Sequence, residues 1–445
     1  MVEFASVILA AGNGTRFLSE TPKVLHKIGN APLFLHVINT VTNIGCKNVI
    51  LVTDVSYNTS KYTKSFDNVT EIYQAEKLGT GHALQLAYNS IKDNSEYVFL
   101  LYGDTPLITE NTLSTALQRI NADNSVGIAV IAMQRQNSES YGSLIITENG
   151  NVEAILEKGL DNYYSGKISD YCNSGLLIKK SILDHHLMLL QKNKFRNEIL
   201  VTDLINISFA SGYKNIIVEG SKEELIGINT RSELVKAEKI FQNRMRKYFI
   251  EHGVTLLDPD SVYFSHDTKI CEDVTIYHDV FFGINVHIGP QNTIFPFSHI
   301  EDITTDESVQ IGPFARIRGG VYLSAKSEIG NFVEVKKSNI GQSTKVKHLS
   351  YIGDAEIGQN CNVGAGTVTC NYDGVSKFKT TVEDNVFIGS NSTFIAPVEI
   401  QSNSIIGAGS VITKNVYKFE MAISRSEQKN IQNAAKRYFE KRKKI

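Results

Sequence analysis

The sequence predicts two folds in one chain: an α/β domain built on a mostly parallel sheet, then a parallel β-helix of hexapeptide repeats. Three observations carry that prediction. Residues 1–228 alternate short β-rich apolar runs with segments of helical length, residues 230–252 read as one long helix, and from Ile270 onward aliphatic residues recur every six positions. At 445 residues the chain also exceeds the size that one hydrophobic core usually serves.

In the first domain the runs VILAA (7–11), NVILVTD (48–54) and YVFLLYGD (97–104) are separated by polar and amphipathic stretches. That is the βαβ rhythm of a parallel sheet with helices on both faces. Ligands of such sheets sit beyond the carboxyl ends of the strands, where LAAGNGTR (9–16) and LLYGDTP (100–106) both fall.

The long helix announces itself by Thr230 with Glu233 three residues on, a capping box. Leu234, Ala237, Ile240, Phe241 and Phe249 then recur roughly at helical spacing, and Gly253 stops it. The expected organisation is therefore a first domain at 1–228, a linker helix at 229–252 and a second domain at 253–445.

The repeats begin with Ile270, Ile276, Phe282, Ile288, Ile294 and Ile300. They resume, after what reads as an insertion, with Ile311, Ile317, Leu323, Ile329 and Val335, and finish with Val382, Ile388, Phe394, Ile400, Ile406 and Ile412. Two steps shorten to five, Val335 to Ile340 and Ile352 to Ile357. Each aliphatic is expected to point into a narrow core while the small or polar residues after it turn the corner. Flat faces and open strand edges make self-association the expectation.

Composition adds exclusions. With 42% hydrophobic and 21% charged residues the chain reads as an ordinary soluble protein, and its net charge of −2 gives no general pull toward nucleic acid or anionic membrane. The basic end KRYFEKRKKI (436–445) reads as a solvated tail. Cys46, Cys172, Cys271, Cys361 and Cys370 lack CxxC spacing, which argues against zinc or a disulfide framework and for a reducing compartment, the cytoplasm. Glu3 stands where a signal peptide would be basic, and the chain has no run of 18 apolar residues, so no transmembrane segment is expected.

The loop Gly12-Asn13-Gly14-Thr15-Arg16 suits either a tight turn or a phosphate cradle whose amides meet oxygens near a helix start. A Walker A is excluded because no G-x4-G-K-[ST] occurs, and a dinucleotide fingerprint because Phe17 stands at its third glycine. Arg16 and Lys23 favour polyphosphate: one offers a planar fork, the other a point charge.

The order LAAGNGTR followed by Pro22-Lys23 resembles the sugar nucleotidyltransferases, whose sheet domain is Rossmann-like. The resemblance implies catalytic roles for Arg16 and Lys23. It places Leu9, Ala10, Ala11, Gly12, Lys23, Gln74, Gly79, Thr80, Tyr102, Gly103 and Asp104 against UTP, with Gln74 to His82 the base and sugar segment. It makes Asp104 and Asn229 the ligands of Mg²⁺, an ion that one or two protein oxygens suffice to hold. Gly142, Glu157 and Asn173 would surround an N-acetylglucosamine ring. Ser143 departs from the arginine usual after the preceding Tyr-Gly pair.

Residues 311–380 carry Arg318, Lys336, His348, Tyr351, Asn362 and Lys377, which a mere scaffold would not need. Imidazole suits removal of a proton from an attacking amine, and Arg318, Lys336 and Lys377 suit an acceptor's phosphate. Hexapeptide-repeat proteins, which this half resembles, are left-handed β-helices and usually trimers.

The strings IGPFARIR, IGNFVEVKKS, HLSYIGDAEIG, NVGAGTVTCNYDG, KFKT, IGSNS and AISR resemble one family in particular. It comprises the bacterial bifunctional N-acetylglucosamine-1-phosphate uridylyltransferases and glucosamine-1-phosphate N-acetyltransferases of cell-envelope synthesis. The resemblance implies that His348 is the general base and that Arg318, Lys336, Tyr351, Asn362 and Lys377 hold glucosamine 1-phosphate. Ala365, Asn371, Tyr372, Ser390, Ala408 and Arg425 would contact acetyl-CoA. A homotrimer with the acetyl site between subunits is implied too, as is an order in which acetylation makes the sugar phosphate that is then uridylylated. Gly319 replaces the family's proline after Arg318.

Two alternatives stand beside this reading. One is a single-activity sugar-1-phosphate nucleotidyltransferase whose β-helix only oligomerises or regulates; the other is a non-catalytic assembly protein.

Overall fold

The computed structural model describes residues 2–12, 14–134, 142–156, 168–192 and 197–442. The chain divides into two compact units, Met1–Arg244 and Met245–Ile445, with the boundary inside one helix, Arg231–Glu251.

Unit one is built on a mixed, mostly parallel sheet. Its strands run in the order Lys214–Glu219, Val126–Gln134, Ile168–Lys179, Tyr97–Tyr102, Phe4–Leu9, Val49–Thr53, Val69–Tyr73, with Ser143–Ile146 and Val152–Leu156 attached beside Ile168–Lys179. Phe4–Leu9 pairs in parallel on both sides, Leu9 opposite Val52 and Tyr102, so three strands end together. Ile168–Lys179 runs antiparallel to both its neighbours in that order, and the two attached strands also pair antiparallel.

Both faces are covered, which is why these strands read as continuous apolar runs rather than alternating ones. Phe4, Ile8, Leu51, Phe99 and Leu101 pack with the helices Leu33–Asn43 and Glu110–Ala122. Ala5, Val7, Ile50, Val98 and Leu100 face the other core, with Thr80–Ala87, Lys180–His186 and Asp203–Ala210.

The helix Arg231–Glu251 starts where its cap predicts, with a variation. Thr230 Oγ1 accepts from the Glu233 amide at 3.2 Å, but the Glu233 carboxylate takes the amide of Asn229, at 2.7 Å, instead of closing the box on Thr230. The cap thereby fixes the backbone of Asn229. Gly253, at φ +86, ends the helix in the left-handed conformation glycine favours.

Unit two is a left-handed parallel β-helix of the hexapeptide class, three stacked parallel sheets of ten, eight and eight strands. Call the first the sheet holding Ile276, the second that holding Phe282 and the third that holding Ile288. The chain visits them in turn, and the aliphatics stack in columns such as Ile276, Ile294, Ile311, Ile329, Val346, Val363, Ile388 and Ile406, each at most 4% exposed. Burying each stabilises the coil by roughly 1.5–3 kcal/mol.

The structure corrects the expected insertion after Ile300. Thr305 occupies the missing core position, opposite Leu323 and 5% exposed, so the coil is continuous and one residue short. Thr369 fills another such position, opposite Phe394. There are thus three steps of five, Ile300 to Thr305, Val335 to Ile340 and Ile352 to Ile357, and all turn the corner from the second sheet to the third. Their left-handed residues, Asp302, Lys337 and Asp354, come two after the core residue instead of three. The excursion between Thr369 and Val382 leaves from this same corner. From Ile270 to Ile412 variation in the repeat is confined to one edge of the prism; before it, Leu256 and Phe264, which stand over Ile276 and Phe282, are eight apart at another corner.

Candidate functional site

In unit one the shared strand ends create the site. Gly103 N donates to Leu9 O at 2.9 Å, and a Cβ on Gly103 would lie 3.1 Å from that of Ala10, so the two loops run together. Asp104 O accepts from Ile228 N at 2.8 Å, which docks Asn229 beside Asp104 although 125 positions separate them in sequence.

Lys23 Nζ reaches the Asp104 carboxylate and, at 3.0 Å, Asn229 Oδ1; an Arg16 guanidinium nitrogen donates to the same Oδ1 at 3.0 Å. Four predicted residues thus meet at one point. The side chains of Lys23 and Asp104 are 11% and 22% exposed, so their pairing is shielded from bulk water.

The glycines divide their work. Gly14 has φ +58 and lies against Lys23, where a Cβ would come within 2.6 Å, so the lysine's own position requires it; Gly12 faces open space. Only a single turn, Thr15–Phe17, follows. The expected helix start is absent, so any anion there relies on loop amides and the two cations.

A cavity of about 370 Å³ opens from this point. Leu9, Ala10, Ala11, Gly12, Lys23, Gln74, Gly79, Thr80, Tyr102 and Asp104 all line it. Lys77, which sequence reasoning passed over, lines it too and pairs with Asp54 at 3.0 Å. Asn173 is 7% exposed; its Nδ2 donates to the Tyr102 hydroxyl at 3.2 Å and its amide to Gly142 O at 3.0 Å. Both are thereby tied to the cavity wall. Ser143 is buried in a strand opposite Cys172. Glu157 lies outside the described residues.

In unit two the register does the gathering. Arg318 pairs with Lys336 and Lys336 with Gly353 on the second sheet. Tyr351 lies over Gly353, where a Cβ would come 2.5 Å from its hydroxyl, so the glycine makes room for the phenol beside Lys336. The Lys377 ammonium and then the Arg318 guanidinium hold Lys336 below the usual lysine range. Arg318 also pairs with Glu334 at 2.6 Å.

Lys377 is presented by the excursion, which Asp373 folds by accepting from the amides of Val375 at 2.8 Å and Ser376 at 2.7 Å. Gly319 has φ +74, which proline's ring cannot adopt, so this corner turns on the Gly319-Gly320 pair in its own way.

His348 ends a strand of the first sheet. Its Nδ1 lies 2.6 Å from Oδ1 of Asn331, its ladder partner one coil earlier. An oxygen there requires the proton on Nδ1 and leaves the Nε2 lone pair available. Asn331 was legible in principle, since it stands one coil length before His348.

The register also aligns His348, Ala365, Ser390 and Ala408, each two residues after a stacked core aliphatic. Asn391 N donates to Ala365 O at 2.7 Å and Gly409 N to Ser390 O at 2.8 Å, so these residues form one line along an edge. Arg425 donates to Ala408 O at 2.6 Å. Along the same edge before His348, the corner is bulky: Phe297, Phe314 and Phe332 stack with centroids 4.8 and 4.9 Å apart. After His348 it is small.

Asn371 is buried and its amide donates to the Asp354 carboxylate. Asn362 stands on the first sheet between Lys345 and Phe387, and Tyr372 is exposed on the excursion. Tyr372 bridges to Lys377, which the same excursion presents.

The chain matches the MobA-like NTP transferase domain over residues 6–201 and the bacterial transferase hexapeptide repeat over 379–414. The bifunctional protein GlmU of Zymomonas mobilis is 39% identical over 99% of this chain and 98% of its own length. That of Wolbachia pipientis is 40% identical over 95% of the chain and 97% of its own, and that of Paramagnetospirillum magneticum 38% over 98% and 96%. Resemblance that runs end to end through both units settles the family: the chain belongs to the GlmU family of bifunctional proteins.

Proposed function

We propose that the chain makes UDP-N-acetylglucosamine in two steps: acetyl-CoA-dependent acetylation of glucosamine 1-phosphate in residues 253–445, then UTP-dependent uridylylation of the product in residues 1–228, with 229–252 as the linking helix. What supports this most is that each unit concentrates the residues of one half-reaction, while the family match spans both.

In the acetyl transfer, Arg318, Lys336 and Lys377 hold the phosphate of glucosamine 1-phosphate, with Tyr351 beside them; Asn362 is assigned to the same substrate. His348 Nε2 takes the proton from the amine as its nitrogen attacks the thioester carbonyl, and CoA leaves as the thiol. Asn331 keeps the ring's other nitrogen protonated. Acetyl-CoA lies along Ala365, Ser390 and Ala408, whose small side chains leave a smooth edge, with Asn371, Tyr372 and Arg425 as further contacts.

In the uridylyl transfer, a phosphate oxygen of N-acetylglucosamine 1-phosphate attacks the α-phosphorus of UTP and pyrophosphate leaves. Gln74, Gly79 and Thr80 receive the nucleoside, and Gly142, Glu157 and Asn173 the sugar. Lys23 and Arg16 offset repulsion between phosphates and hold the reactants in line. Asp104 and Asn229 offer two oxygens that already share one cation, the Lys23 ammonium, so the donor set fits Mg²⁺, which when bound neutralises phosphate charge.

The active form is a homotrimer in the cytoplasm. The exposed stack of Phe297, Phe314 and Phe332 and the exposed Phe387, Ile405 and Met421 of the first sheet support assembly, and five free cysteines fit a reducing compartment. Among the described residues no helix is long and apolar enough to cross a membrane.

The test is to supply purified protein with glucosamine 1-phosphate, acetyl-CoA, UTP and Mg²⁺. Release of CoA thiol together with UDP-N-acetylglucosamine is expected; appearance of the nucleotide sugar only when N-acetylglucosamine 1-phosphate is added would reduce the chain to one activity.

A further inference from the structure

Gln74 follows the edge strand Val69–Tyr73, is 6% exposed and lines the cavity of unit one. Its Nε2 lies 3.1 Å from the carbonyl oxygen of Gly79 and 3.2 Å from Nδ1 of His82. A backbone carbonyl only accepts, so the atom facing Gly79 must be the amide nitrogen; the flipped amide would set oxygen against oxygen. The same nitrogen faces His82 Nδ1, which must offer its lone pair, so His82 carries its proton on Nε2.

Both amide hydrogens are thus committed, and Oε1 is the part of Gln74 left to meet a base. That oxygen accepts and cannot donate. Gly79 is itself held: its φ is +109, a Cβ there would lie 2.4 Å from Ile199 O, and its carbonyl oxygen also accepts from Ala83 N at 3.2 Å, which anchors it at the helix start.

We infer that His82 is a positioning residue which, with Gly79, locks Gln74 as an acceptor-only reader of the nucleotide base, and so selects a pyrimidine with a ring N–H over one without. Uracil presents a donor at N3, whereas cytosine presents a lone pair that would face Oε1 without a proton between them. The inference rests on the proposed UTP reaction and gives the choice of UTP over CTP a cause in this chain. Mispairing acceptor with acceptor leaves a polar group unsatisfied, which is how sites of this kind reject a near-isostere.

The test compares kcat/KM for UTP and CTP in the native protein, His82→Ala and His82→Asn, the last keeping an acceptor near the place of Nδ1. The native protein is expected to prefer UTP. His82→Ala should lose about three- to tenfold of that preference, the worth of one hydrogen bond, with KM for N-acetylglucosamine 1-phosphate unmoved, and His82→Asn should recover it. Dissociation constants for the two nucleotides, measured by calorimetry where His82→Ala is folded, should change in the same ratio. An unaltered UTP-to-CTP ratio in His82→Ala overturns the inference while leaving the reaction intact; failure of the native protein to turn over UTP at all overturns the functional reading beneath it.

Discussion

The two units gather their polar residues by opposite means. In the first, Lys23, Asp104 and Asn229 come together from positions up to 206 apart because parallel strands end side by side and a helix cap fixes Asn229. In the second, Asn331 and His348 are 17 apart and meet because one coil is that long. A sheet site is written in loops after strands and has no internal period. A β-helix site is written in the period itself, so a partner can be found by counting.

The sharpest way to break this comparison is to disable each site alone. His348→Ala should lower acetyl transfer by about 10²–10⁴-fold, the usual range for a lost general base, with uridylylation of added N-acetylglucosamine 1-phosphate unchanged. Asp104→Ala should do the reverse, lowering uridylylation at least about a hundredfold while CoA thiol release continues. If either substitution impairs both reactions in folded protein, the sites are not independent.

Legibility followed the same division. The strand runs, the long helix and the period of six could all be read from sequence, because burial on two faces or in one narrow core leaves few choices of side chain. The loop at Gly12 could be read as phosphate-binding only through Arg16 and Lys23; that Gly14 exists to let Lys23 close in, and that only one turn follows, depends on contacts between distant segments. Thr305, which reads as part of an insertion, shows a different limit, and Thr369 shares it. A threonine in a column of isoleucines looks like an interruption, yet both are buried because their hydroxyls serve the adjacent coil: Thr369 Oγ1 accepts from Gly353 N at 2.7 Å and donates to Gly353 O at 2.9 Å. Lys77 and the Asp354 contact to Asn371 gave no signal without the fold.

Core columns offer the next test. Ile388→Ala removes a side chain that is 1% exposed in the first-sheet column and should destabilise unit two by about 2–5 kcal/mol. Calorimetry should show the loss in the transition of unit two, with uridylylation retained at temperatures below it. Coupled loss of both units' transitions would mean that the two fold as one.

Thr369→Val sharpens the lesson about interruptions. It restores the aliphatic consensus and nearly conserves volume, so a reading from repeats alone predicts no harm or some gain. The structure predicts a loss of about 1–3 kcal/mol, because the Gly353 amide would be left buried without its acceptor. A variant as stable as the native protein in urea unfolding would show that the hydroxyl is incidental and the column tolerant.

The smallest expected effect concerns protons. Lys377 and Arg318 hold Lys336 below the usual lysine range, so its folded pKa lies under its unfolded one. Between those two values the unfolded chain binds more protons, and the repulsion among the cations is relieved as pH rises through the folded pKa. A phosphate bound among the three reverses the balance: its negative charge favours the ammonium form and lifts Lys336 back up. In that alkaline window, binding of glucosamine 1-phosphate should therefore take up a fraction of a proton. Calorimetric titrations in two buffers of different ionisation enthalpy should give different apparent heats there. Lys377→Met should shrink the alkaline difference by removing the larger cause. Equal heats in both buffers across the alkaline range would separate Lys336 from the phosphate, and with it the claim that the stacked positions of the second sheet form the acceptor's anchor.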